Sequence, residues 1–99
     1  MTKYTIDCEN VHSKSEFWKQ YLAIVEPEGA GYFGRNLDAL WDALHAGGPG
    51  FPDESDCTIR LINTDSIKLI DDGAFYHALK QISSDLKSDL ISHIAFKVE

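Results

Sequence analysis

Three short runs of β-forming residues lie far apart in the chain, and each gap between them is filled with helical periodicity. The runs are Tyr4-Thr5-Ile6-Asp7-Cys8, Cys57-Thr58-Ile59-Arg60-Leu61-Ile62 and His93-Ile94-Ala95-Phe96-Lys97-Val98. Strands joined by helical crossovers pair in parallel, and the connections are right-handed. The spacing therefore predicts an α/β domain built on a three-stranded parallel β-sheet.

The intervening segments read as helices with recognisable ends. Ser13-Lys14-Ser15-Glu16 has the form of a capping box, and Phe17, Trp18, Tyr21, Leu22 and Val25 follow on one helical face. Pro27 ends that helix, because the residue before proline avoids the helical region. Gly31 to Gly34 make a turn. Asn36 is a good N-cap for a helix over 37–46, where Leu37, Leu40, Trp41 and Leu44 form a stripe and Gly47 stands as C-cap. Thr64 or Asp65 can cap a short third helix through Ile70. Gly73 separates it from a fourth that carries Phe75, Leu79, Ile82 and Leu86 at helical spacing. The expected order is β-α-α-β-α-α-β, with about four helices on the sheet. Cys8 ends one strand and Cys57 begins the next, so parallel neighbours would hold the thiols at opposite ends, too far apart for a disulfide.

A chain of 99 residues is the size of one domain, 1–99, and 11% aromatic content argues against disorder. No apolar stretch approaches the ~20 residues that cross a bilayer. The start, Met1-Thr2-Lys3-Tyr4-Thr5, has no apolar run, so no secretory signal is expected and the cytoplasm is the expected location. Net charge is −7. That argues against direct binding of nucleic acid or of an anionic membrane and suits a basic partner.

The charge is concentrated. Residues 26–56 hold seven acids (Glu26, Glu28, Asp38, Asp42, Asp53, Glu54, Asp56) against Arg35 alone, and so carry −6 of the total. All three prolines and six of the seven glycines fall in the same window. That composition describes loop, short element, loop, the usual setting for binding residues on a scaffold.

Catalytic chemistry has little support. His12, His45, His77 and His93 fall on separate elements without metal-ligand spacing, and there is no nucleophile elbow or phosphate loop, so no metal and no cofactor are expected. Asp38 and Asp42 are the odd feature. At i and i+4 on one short helix they share a face, where like charges are destabilising. Their spacing is compatible with a solvent-facing pair, with a doubly negative binding ridge beside Tyr32 and Trp41, or with an acid/base or metal-binding pair in a small hydrolase.

Tyr32-Phe33-Gly34-Arg35-Asn36-Leu37-Asp38-Ala39-Leu40-Trp41-Asp42-Ala43-Leu44 resembles the binding segment of the barstar family, intracellular inhibitors of a secreted bacterial ribonuclease. The family has the same element order, so a looser likeness covers nearly the whole chain. The resemblance implies a cytoplasmic immunity protein without catalytic residues, one that plugs a nuclease active site with an acidic helix imitating RNA phosphates. The implied partner is a basic ribonuclease or ribonuclease toxin, bound 1:1. The other reading is a module of the same fold whose partner is not a ribonuclease.

The partner-binding residues implied are Tyr32, Phe33, Gly34, Arg35, Asn36, Asp38, Trp41, Asp42, His45 and Ala46. Asp42 falls on the acid that enters the phosphate site, Asp38 on its companion and Tyr32 on the loop aromatic that packs on the nuclease. Trp41 falls on a partly structural tryptophan. Leu37, Leu40 and Leu44 would be core, while Gly34 and Asn36 would shape the turn and cap. The chain departs from the pattern at four places. His45-Ala46-Gly47 stands for the family's Thr-Gly-Trp, and the Gly47–Asp56 loop is longer and more acidic. Ser83 aligns with a further acid, with Asp85 close by. Arg35 replaces an acid. These departures point to a different cognate nuclease.

Overall fold

The computed structural model describes residues 2–27, 31, 33–46, 57–88 and 94–99. The β-forming runs become strands β1 (Thr2–Asp7), β2 (Cys57–Ile62) and β3 (Ile94–Val98), all parallel, in the order β1-β2-β3. Thr2 pairs with Cys57 and Asp7 with Ile62, and Cys57 pairs in turn with Ile94. Cys8 continues the ladder, its N–H donating to Ile62 O at 2.9 Å. Cys8 therefore sits six residues along β1 from the level of Cys57, roughly 20 Å at strand rise. Both thiols are free and buried.

Buried and exposed side chains alternate along β1 and β3, and β2 departs from this at Thr58, which is buried between Cys57 and Ile59. Tyr4, Ile6, Cys57, Ile59, Leu61, Ile94 and Phe96 belong to the core cluster or pack on it, while Lys3, Thr5, Asp7, Arg60, Ala95 and Lys97 are exposed. Parallel sheets are usually covered on both faces. Here the described helices lie on one face, and on the other Arg60 forks onto the Glu99 carboxylate at 3.0–3.1 Å.

Helix α1 (Lys14–Val25) begins as its sequence requires. Glu16 N–H donates to Ser13 Oγ at 3.2 Å, and the Glu16 carboxylate reaches back to the Ser13 hydroxyl and to His12 N–H. It stops at Glu26, which takes the left-handed conformation before Pro27. Helix α2 spans Leu37–Ala46, and helix α3 spans Ala74–Ser88 with Phe75, Leu79, Ile82 and Leu86 buried.

The expected third α-helix is not there. Ile67–Gly73 is a 310 turn with a kink: Ile70 is extended, and Asp71 and Asp72 are left-handed at φ 50° and 54°. The two residues expected to cap a helix, Thr64 and Asp65, are engaged elsewhere, and so is the neighbouring Ser66. The Thr64 hydroxyl donates to the Glu99 carbonyl, Asp65 accepts from Lys68 at 3.4 Å, and Ser66 donates to the Glu9 carbonyl at 2.8 Å. Gly73 then turns into α3 at φ 93°, a conformation a β-carbon would strain. Three α-helices, one 310 turn and a three-stranded parallel sheet are the described architecture. Among the described residues no helix is long and apolar enough to cross a membrane.

Two buried groups contribute to the response to base. Desolvation, with a smaller contribution from Asp7, pushes the Cys8 thiol up to about 11, and burial pushes the Tyr21 phenol well above its ordinary range. Both stay neutral in the folded chain at pH values where the unfolded chain begins to ionise, from about 8.5 for a thiol. Their contribution to stability is complete below that pH and is lost as pH rises towards and through 11. Thermal melts are expected to hold their midpoint up to about pH 8.5 and to fall steadily above it. In Cys8→Ala the decline should be shallower, because one of the thiols that ionises in the unfolded chain is gone. A midpoint that climbs between pH 9 and 11 would contradict this.

Candidate functional site

The site is built on the turn that enters α2. A β-carbon on Gly34 would stand 3.2 Å from both Ala39 Cβ and Asn36 Nδ2, a tight approach that a side chain could make only if those neighbours gave way by a few tenths of an ångström. Arg35 follows in the left-handed conformation, at φ 50°. Asn36 is the N-cap expected: its Oδ1 accepts from Ala39 N–H at 2.7 Å, and its Nδ2 donates to Gly34 O at 3.1 Å. Asn36→Ala removes both bonds and is expected to cost about 1 kcal/mol in a urea or thermal unfolding measurement. An unchanged midpoint would show that the turn is held by other contacts.

Phe33 does not join the surface. It is 5% exposed, edge-on to Trp18 at 5.7 Å and stacked on Tyr21 at 5.6 Å. It therefore anchors the turn to α1, and Trp18 carries the cluster on to Phe17 and Phe75. The family resemblance includes Phe33 among the partner-binding residues as part of the matched segment, and that pattern carries no sign of which way the ring faces.

Helix α2 divides cleanly. Leu40, Ala43 and Leu44 are buried, while Asp38, Asp42 and His45 are exposed on the opposite side. At i and i+4 the two aspartates stand about 6 Å apart at Cβ. Neither forms an ion pair among the described residues. The dipole of the helix supports Asp38 in the first turn but gives Asp42, a turn further on, no comparable help. Trp41 is half-buried, packs on the core and stacks flat on His45, with ring centroids 4.6 Å apart and an interplanar angle of 8°. The outward face of α2 is thus two carboxylates beside a pair of stacked rings.

Beside the turn lies an open cleft of about 390 Å³, lined by Lys14, Trp18, Arg35, Leu37 and Phe75 among others. Lys14 contributes from α1 and pairs with Asp71 of the 310 turn at 2.5 Å. Sequence reading missed Lys14 and Trp18 as neighbours of Arg35, since nothing local links residues so far apart in the chain. On α3, Ser83 donates to the Phe96 carbonyl and so ties the helix to β3, while the exposed Asp85 accepts from Gln81 at 2.9 Å. Tyr32, the side chain of Ala46 and the Gly47–Asp56 loop lie outside the described residues.

The family described as Barstar (barnase inhibitor) matches residues 1–97. The chain belongs to the barstar family. The match takes in β1, β2, α2 and all but the last residue of β3, so the barstar likeness is not confined to the short motif around Asp38 and Asp42. A search of curated proteins finds no match to the chain. The barstar family is one of inhibitors and not of enzymes.

Proposed function

We propose that the protein is an intracellular inhibitor, an immunity protein, of a ribonuclease, and that it works by non-covalent occlusion of the nuclease active site. The observation that carries this reading is the outward face of α2, where Asp38 and Asp42 are exposed, at helical spacing, and unpaired among the described residues. Two like charges held one turn apart cost the free helix a few tenths of a kcal/mol. They are offset when opposite charges arrive from outside. A ribonuclease active site offers that complement, because it holds cations where RNA phosphates bind. The stacked Trp41 and His45 supply a flat, pre-ordered surface beside the acids, so little side-chain freedom is lost on docking. Membership of a family of barnase inhibitors supports the same reading.

In this account Asp42 enters the phosphate site, Asp38 stands at its edge and Tyr32 packs on the nuclease from the turn. One inhibitor occupies one nuclease. No metal or cofactor takes part.

The test is to capture partners on the immobilised protein from the producing cells and their medium, then assay RNA cleavage. A basic protein is expected whose ribonuclease activity is silent in the complex, returns on dissociation and disappears again with one equivalent of inhibitor. A captured partner that cleaves no RNA, or cleaves it equally well with inhibitor present, would overturn the proposal.

The charge of residues 26–56 makes a second expectation. A −6 segment approaching a basic cleft speeds association by steering, and salt screens that attraction. Stopped-flow association with the nuclease should slow by tenfold or more between about 10 mM and 500 mM salt while dissociation changes little. An association rate indifferent to salt would contradict it.

A further inference from the structure

The cleft at the entry to α2 has the opposite polarity to the helix beside it. Arg35 lines it, in a left-handed backbone conformation that a non-glycine residue seldom adopts. No carboxylate pairs with Arg35 among the described residues. Lys14 lines it too, but Asp71 holds it at 2.5 Å, so the cleft presents one cation without an ion pair among the described residues and one that is already shared. Between them the wall is apolar, contributed by Leu37 and the edges of the nearly buried Trp18 and Phe75.

We propose that this cleft is a second recognition pocket, which takes a carboxylate-bearing side chain of the partner protein while α2 takes its cations. An arginine fork matches a carboxylate in a bidentate manner, and the apolar wall suits the stem behind it. A nucleic acid is the poorer occupant, because Asp38 and Asp42 stand about one and two turns along the chain from Arg35 and repel a polyanion. The interface is therefore bipolar: positive at Arg35, negative along Asp38 and Asp42. A nuclease that fits must carry an acid beside its basic cleft, and one with a cation there is rejected by like charge. Arg35 is then a specificity-determining residue. The proposal rests on the ribonuclease reading only for the identity of the protein that presents the acid.

The pocket can be tested without the nuclease. The probe is a blocked Glu-Phe-Glu tripeptide titrated into the 15N-labelled protein at low salt, with Gln-Phe-Gln as control and inorganic phosphate as a separate arm. Shifts are expected to cluster at Lys14, Arg35 and the Trp18 indole, with the acidic peptide at least fivefold tighter than the control. Arg35→Gln should abolish that difference. Asp71→Asn keeps a residue that tolerates the left-handed backbone and frees Lys14, and should tighten the acidic peptide at least twofold. Equal binding of the two peptides, indifference to Arg35→Gln, or tighter binding of phosphate than of the acidic peptide would overturn the proposal. Should the acidic peptide bind as expected while the captured partner cleaves no RNA, the pocket stands and the ribonuclease reading falls.

Discussion

Asp42→Ala is expected to weaken the complex with the cognate ribonuclease by about 2–5 kcal/mol, roughly thirtyfold to several thousandfold, with most of the loss in the dissociation rate. In the proposed complex the Asp42 carboxylate is the acid that enters a desolvated cationic site. Removing it leaves those cations buried without a partner, and that penalty exceeds the worth of the ion pair itself. The same substitution should leave the free protein as stable as before or slightly more so, because it ends the like-charge contact with Asp38. Surface plasmon resonance and thermal melts on one preparation separate the two effects. A variant that binds normally, or that melts well below the parent, would make Asp42 a structural residue and move the interface elsewhere.

Phe33→Ala should have the largest effect on the fold, about 3–5 kcal/mol in urea unfolding. The ring lies between Trp18 and Tyr21, and its loss opens a cavity where the turn into α2 meets α1. Phe33→Leu fills most of that space and should recover more than half of the loss. Binding should fall in Phe33→Ala as well, through a turn no longer held in place, and recover together with stability in Phe33→Leu. If Phe33→Ala costs under about 1 kcal/mol of stability yet abolishes binding, the ring is a contact residue and its burial is incidental.

Much of this architecture is local chemistry and was therefore legible in the residues. The Ser13–Glu16 box, the Asn36 cap and the Phe75–Leu79–Ile82–Leu86 spacing each act within one or two turns, and all stand where the sequence puts them. The strands are legible for the same reason, since alternation along Tyr4 to Cys8 already separates a buried face from an open one. The 310 turn was not legible. It depends on Thr64 being drawn to Glu99 at the far end of the chain and on two aspartates adopting the left-handed backbone. The burial of Phe33 depends on Trp18 and Tyr21, and the Arg35 cleft on Lys14, both contacts made only once α1 has packed. Within the candidate site, the i, i+4 spacing gave the pairing of Asp38 and Asp42 but left their purpose open, because a solvent-facing pair and a binding ridge look alike until neighbouring cations have been sought.

Occlusion of the nuclease by the acidic face of α2 is tested most directly by titrating the captured ribonuclease with the parent protein and with Asp38→Asn/Asp42→Asn at several RNA concentrations. Asparagine keeps size and polarity and removes only charge, so the double variant should melt within about 0.5 kcal/mol of the parent or above it. The parent is expected to abolish cleavage at one equivalent, with added RNA slowing the onset of inhibition, and the double variant to need at least a hundredfold more protein. A well-folded double variant that inhibits at one equivalent, or a parent whose onset of inhibition is indifferent to RNA, would contradict occlusion by this face.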